Sequence, residues 1–237
     1  MSGIIDFHSH ILPGIDDGSS CLEESIAMLQ RESQQGIRYV VATPHFYPQY
    51  DTPDRFLKRR ADAESALRKE LQGKSGLPTV FVGAEVFFFS GMSNSEVLSE
   101  LTINQKKCIL VEMPASPWTD YMYRELEDLY RKQGLFPVIA HVDRYIGRFR
   151  NHGILERLEK LPVLVQANAE FFLHKSTAAM ALRMLKKNQI HLLGSDCHNL
   201  SNRSPCLGDA MDVIRRKLGE SPIEVICDWQ QHVLQNK

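Results

Sequence analysis

Short apolar runs alternating with longer stretches of helical spacing limit this chain to few architectures. Residues 4–8, 39–43, 79–85, 108–112, 137–141, 163–167 and 190–195 read as strands. Between them, residues 22–35, 55–71, 120–132, 155–161 and 176–187 carry the helical pattern, and the tail from Asp209 onward reads as helical too. Gly36 stands where the first helix should stop, after a face that includes Ile26 and Leu29. Residues 47–54 and 90–95 read as loops. A repeated strand-then-helix order is the rhythm of a parallel sheet, because parallel neighbours need a long crossover. The strands are continuous apolar runs, as expected when both sheet faces are covered. About seven such units in one domain spanning residues 1–237 favour a barrel, with an open doubly wound sheet as the alternative.

Composition permits this fold and removes several classes of function. The chain has 237 residues, 43% of them hydrophobic and 24% charged, enough to bury the core of one α/β domain. Its 28 basic and 29 acidic side chains give a net charge of −1, so nothing in bulk points to nucleic acid or an anionic membrane surface. A local basic pocket for one phosphate stays open. No apolar run is long enough for a membrane span, and the opening Met1-Ser2-Gly3-Ile4-Ile5-Asp6 lacks the pattern of a signal peptide. Cys21, Cys108, Cys197, Cys206 and Cys227 are odd in number and irregularly spaced, with no CxxC pair. Reduced thiols in a cytoplasm are therefore expected, rather than disulfides or a zinc–thiolate site. No Gly-rich phosphate loop of either common pattern occurs.

The informative observation is where the metal-ligand types fall. His8 and His10 follow the first run and His45 the second, while Glu85, Glu112 and His141 end the next three. Asp196 and His198 follow the last. In a parallel barrel these ends share one face, the face on which active sites are built. Eight such side chains are too many for one ion and imply several. Nitrogen and carboxylate donors without thiolate suit Mn, Fe or Zn, and ions about 4 Å apart can hold a hydroxide and clamp a phosphoryl group. Singly, each has an ordinary alternative: a half-buried HxH strand, solvated glutamates at strand ends, a structural histidine. His152, His174, His191 and His232 lack the strand-end setting and read as surface or core residues.

Asp6-Phe7-His8-Ser9-His10, with Asp16-Asp17-Gly18 beyond, resembles the opening motif of the PHP (polymerase and histidinol phosphatase) superfamily. Thr43-Pro44-His45, Gly83-Ala84-Glu85, Glu112-Met113-Pro114, Ala140-His141 and Gly194-Ser195-Asp196-Cys197-His198 match its later motifs in order. The run from His8 through Leu12-Pro13-Gly14-Ile15-Asp16-Asp17-Gly18 is similar to bacterial tyrosine-protein phosphatases encoded with capsular and exopolysaccharide genes. The resemblance implies a distorted (β/α)7 barrel and two or three divalent metals, usually manganese. It also implies a substrate, the phosphotyrosine tail of a membrane-anchored bacterial tyrosine kinase. It carries His8, His10, His45, Glu85, Glu112, His141, Asp196 and His198 over as ligands, with Glu85 bridging. Asp17 carries over as ligand or base, and Arg144 and Arg203 as phosphate-binding arginines, whose forked guanidinium suits phosphate oxygens. On sequence alone, a surface salt bridge is the favoured reading of either arginine, and only the resemblance reverses it. This chain departs from the family where a His-Pro-Glu-Arg run is usual: it reads His141-Val142-Asp143-Arg144.

Three rival readings remain. Cys197 and Arg203 have the spacing of cysteine-nucleophile tyrosine phosphatases, but the intervening His198-Asn199-Leu200-Ser201-Asn202 has no glycine to shape an amide cradle, so the match reads as coincidence. The same metal cluster could serve a histidinol-phosphate or other small-phosphomonoester phosphatase, or survive in a non-catalytic docking module. Phe46, Tyr47, Tyr50 and residues 87–89 could line a slot for a phenyl ring, or simply pack their loops.

Overall fold

The computed structural model describes residues 3–146 and 153–235. In chain order the elements are β1 (Ile4–Ser9), α1 (Leu22–Gln34), β2 (Ile37–Ala42), β3 (His45–Phe46), α2 (Pro53–Leu71), β4 (Thr79–Val82), β5 (Glu85–Phe87) and β6 (Cys108–Glu112). They continue as α3 (Asp120–Gln133), β7 (Phe136–Ile139), α4 (Ile154–Leu158), β8 (Leu164–Asn168), α5 (Glu170–Leu173), α6 (Ala178–Lys186), β9 (Leu192–Gly194), α7 (Leu207–Leu218) and α8 (Ser221–Gln235). Every strand pairing among the described residues is parallel, in the orders β1-β2-β4 and β3-β5-β6-β7-β8-β9.

One expected strand proves to be broken, and another is followed by a short additional one. Pro44 has no amide hydrogen to give, and the chain resumes after it as β3. The run at 79–85 stops at Val82 and restarts at Glu85, so Glu85 opens a strand instead of ending one. The breaks match: Gly83 N–H donates to Ala42 O and Glu85 N–H to Pro44 O, which carries the first sheet into the second. At the far side Ser9 bridges to Cys197, Asp196 N–H donates to His8 O and His10 N–H donates to Cys197 O. The curled sheet thus meets itself beside β1.

Both faces are covered, as the apolar runs require. Ile5, Phe7, Val41, Leu110, Val138 and Leu192 form one apolar cluster, joined by Val233 of α8. Alternate strand residues such as Val40, Ile109, Val111 and Leu193 join the larger cluster under the helices, with Met28, Leu67, Leu126 and Ile214. Helix ends follow local chemistry. Thr52 caps α2, accepting from Arg55 N–H, and Pro53 fits its first turn, so α2 starts two residues before the sequence expectation. Gly134, in the left-handed region, ends α3. The helix expected at 155–161 is the shorter α4, and the one at 176–187 is α6, preceded by α5. The tail is two helices separated at Gly219. The loop expected at 90–95 contains a 3-10 turn, Met92–Asn94. His152 lies outside the described residues.

Candidate metal centre

Strand ends deliver the side chains. His8 lies within β1 and His10 just beyond it; period-two geometry puts both imidazoles on one side, with their Nε2 atoms 3.1 Å apart. His45 and Glu85 open the paired strands β3 and β5 and sit opposite one another in register. Glu112 ends β6. His141 stands two residues past β7, not at its end, with φ 32°, and Asp196 follows β9 with φ 54°. Left-handed backbone at residues other than glycine costs of order 1–3 kcal/mol and persists where the surroundings enforce it.

Glu85 is the hub. Its Oε2 lies 3.1 Å from His8 Nε2, 3.3 Å from His10 Nε2 and 3.1 Å from His45 Nδ1, and its Oε1 lies 2.8 Å from His141 Nε2. Glu112 approaches His45 at 3.9 Å and His141 at 3.8 Å. Asp196 Oδ1 is 3.6 Å from His8 Nε2 and 3.5 Å from His10 Nε2. Asp17, 66% exposed at the mouth, lies 3.5 Å from His45 Nε2 and 3.4 Å from His198 Nε2. All eight ligand-type residues expected from the sequence therefore converge, and Asp17 joins them. So do the two arginines: Arg144 pairs with Asp196 Oδ2, and Arg203 Nη2 reaches Asp196 Oδ1 at 2.8 Å. His174 is exposed, and His191 accepts Val165 N–H, a structural role.

The donor chemistry fits cations. Three overlapping groups, His8–His10–Glu85, His45–Glu85–Glu112 and His10–Asp17–His45–His198, each bring their ligand atoms within 4.8 Å of one another. His45 Nδ1 and His198 Nε2 are buried without a hydrogen-bond partner. Burial opposes protonation of His10, yet Asp16 and Glu85 outweigh it and raise the imidazole to about 10. Burial and then the proximity of His10 lower His198 to about 4. Burial would raise Glu85, but His8 and the other imidazoles hold it well below the usual carboxylate range. Histidines that must borrow protons to balance buried carboxylates mark a place for metal charge.

The residues that hold this frame were harder to see in the sequence. Asp16 Oδ2 is 2.7 Å from His10 Nδ1 and accepts His45 N–H, while its Oδ1 accepts Gly18 N–H. Gln166 Oε1 accepts His141 N–H at 2.6 Å and faces His8 Nδ1 at 3.3 Å. Asn168 donates from its side-chain amide to Asp196 Oδ2 and from its backbone N–H to Asp143 Oδ1. The signal was present: Gln166 and Asn168 are polar residues two apart in an otherwise apolar run. Tyr47 donates to Glu112 and stacks on His45.

One sequence alternative is resolved against its chemical use. Cys197 is fully buried, and burial followed by the Glu32 and Asp6 charges pushes its thiol well above the ordinary range, the opposite of a nucleophilic thiolate. Phe46 and Phe88 are core residues, whereas Tyr47 and Tyr50 border a cleft beside His45. Behind the cluster, Asp6, Glu32 and Cys197 form a separate buried group. Asp6 Oδ1 accepts His8 and Ser195 N–H, and a Glu32 carboxyl oxygen lies within 4.8 Å of the Asp6 carboxylate. Burial and then the Asp6 charge raise Glu32 well above its usual range, which favours a neutral Glu32 beside Asp6.

Known proteins share this arrangement of chain and fold. The tyrosine-protein phosphatase CpsB of Streptococcus agalactiae serotype V is 28% identical over 98% of this chain and 99% of its own length. The tyrosine-protein phosphatase YwqE of Bacillus subtilis is 30% identical over 99% of this chain and 92% of its own. A solved structure from work on YwqE and Streptococcus pneumoniae CpsB, described as unique metal-dependent tyrosine phosphatases, superposes with a TM-score of 0.84 at 27% identity, covering 99% of this chain and 95% of that one. The family of capsular polysaccharide synthesis proteins CpsB/CapC matches residues 4–235, and this chain belongs to it.

Proposed function

We propose that this chain is a metal-dependent protein-tyrosine phosphatase. Its substrate in this reading is the autophosphorylated tail of a membrane-anchored bacterial tyrosine kinase that controls capsule or exopolysaccharide synthesis. The observation that supports it best is the convergence of imidazoles and carboxylates on Glu85, flanked by two guanidinium groups. His8, His10, His45, Glu85, Glu112, His141, Asp196 and His198 would hold two or three divalent ions, Mn²⁺ by preference, with Fe or Zn compatible with the same donors. Bound there, such ions lower the pKa of water and polarise a phosphoryl group, so hydrolysis needs no protein nucleophile.

The protein's own groups do the rest. In this reading Arg144 and Arg203, both paired with the anionic Asp196, fork onto phosphate oxygens at the cluster's edge. Asp17, exposed between His45 and His198, serves in the same reading as ligand or base at the mouth, and the departing phenolate oxygen takes its proton from solvent, being a leaving group that needs only weak acid help. Tyr47 steadies Glu112 and His45. We read the strands as a distorted (β/α)7 barrel in one domain over residues 1–237, with β2 and β3 sharing one stave and β4 and β5 another. Five unpaired cysteines suit a cytoplasmic setting. No helix among the described residues is long and apolar enough to cross a membrane, and the near-neutral charge gives no footing for nucleic acid.

A substrate panel with Mn²⁺ tests the reading. A phosphotyrosine peptide should be hydrolysed with higher kcat/KM than histidinol phosphate. The reverse order would make the chain a small-phosphomonoester phosphatase, and no turnover of either would make it a docking module.

A further inference from the structure

A cleft of about 350 Å³ opens directly beside the cluster, its lining including Ile15, Asp17, His45, Tyr47, Tyr50 and Arg55. A benzene-sized guest needs about 150 Å³, so a phenyl ring fits with room for the peptide behind it. One wall is already committed to the centre: the Tyr47 ring stacks on His45, centroids 4.9 Å apart. The Tyr50 ring meets Tyr47 edge-on at 6.4 Å. Tyr50 is nevertheless 80% exposed and contributes no burial to the core.

The turn that presents it is braced. Tyr50 and Asp51 N–H both donate to Tyr47 O. Arg59 ties the turn down, donating to Asp51 Oδ2 at 2.5 Å and to Ile15 O at 2.7 Å. An exposed aromatic ring on a fixed turn, facing a ring-sized cleft one residue layer from the cluster, has no work to do in the fold. It has work to do for an aromatic ligand, since offset or edge-to-face aromatic pairs contribute about 0.5–1.5 kcal/mol beyond area burial.

We propose that this cleft is the aryl subsite of the centre and that Tyr50 is its specificity-determining residue, gripping the phenyl ring of a phosphotyrosine against Tyr47 and Ile15 while the phosphate lies over the cluster. The assignment rests on the phosphatase reading for its substrate but not for its test, which is a binding measurement. Benzylphosphonate and methylphosphonate carry the same headgroup and differ in the ring. With Mn²⁺ present, calorimetric Kd values are compared for the wild type, Tyr50→Ala and Tyr50→Phe. Tyr50→Ala should weaken benzylphosphonate about tenfold, the equivalent of about 1.4 kcal/mol, and leave methylphosphonate within about twofold. Tyr50→Phe should match the wild type for both. Equal weakening of both ligands, or no change for benzylphosphonate, overturns the subsite. If the ring preference is found but the wild type turns over no phosphotyrosine peptide, the phosphatase reading fails and the aryl subsite stands.

Discussion

Asp16 shows how much of this centre depends on residues that never need to touch a metal. One of its oxygens fixes the His10 ring and the His45 backbone, the other the Gly18 amide. Loss of such a partner typically costs about 10–100-fold in metal affinity or activity, and Asp16→Ala should show that loss in Mn²⁺ titrations while the far-ultraviolet spectrum stays native. Sequence inspection favours Asp17, its neighbour, because an aspartate's address within a turn is not visible before the turn is folded. Glu32 was equally hidden. On a helix it reads as solvated, yet it is fully buried beside Asp6, and burial and that charge raise its pKa. Glu32→Ala should cost about 1–3 kcal/mol by leaving Asp6 unpaired in the interior. Glu32→Gln keeps a donor and should cost less. The two also differ in pH response. Above the usual glutamate range the unfolded chain releases this proton and the folded chain keeps it, so the Glu32 contribution falls as pH rises. Urea unfolding from about pH 5 to about pH 8 should therefore show the wild type losing stability relative to Glu32→Gln, by at most about 1.4 kcal/mol per pH unit. Parallel curves would contradict a neutral Glu32.

At the level of elements, the seam between β1 and the segment after β9 decides whether the centre assembles. A Cβ on Gly194 would lie 2.5 Å from His8 Cβ and 2.8 Å from His8 N, so only glycine lets the last strand pass the first ligand. Gly18 plays the same part beside His10, where a Cβ would fall 2.3 Å from the carbonyl oxygen. Gly194→Ala should destabilise by about 1–3 kcal/mol as overpacking, lowering the melting temperature and displacing His8. A variant with native melting and native Mn²⁺ affinity would show that the seam tolerates movement. Most strands and helices were legible because apolar runs and caps are local. The breaks at Pro44 and Gly83 were not, because each is set by its partner: β2 yields to β3 where β4 yields to β5, and an unbroken apolar run gives no sign of that kink. The ligands remained legible through these errors, since a shift of one or two residues in a strand's end does not remove it from the mouth of the sheet. The polar pair Gln166 and Asn168 is the counterexample: it lines the same mouth, but amide side chains are not ligand types, so sequence alone does not mark them.

For the whole molecule, the cluster ties the first strand, the middle of the sheet and the segment after the last strand to one set of charges. Metal binding should therefore support the fold as well as the chemistry. A single site at a free metal concentration 100 times its Kd contributes about 2.7 kcal/mol, so chelation should lower the melting temperature by several degrees and Mn²⁺ should restore it. The central claim is that the convergent donors form a multinuclear hydrolytic site for phosphotyrosine. The most direct measurement counts metals and turnover together, by elemental analysis and phosphate release from a phosphotyrosine peptide, in metal-depleted protein, in the Mn²⁺-reconstituted wild type and in Glu85→Gln. Two or three ions per chain and full activity are expected on reconstitution, with no turnover after depletion and loss of both ions and activity in Glu85→Gln. Undiminished turnover in the depleted protein, or native metal content and rate in Glu85→Gln, would contradict that claim.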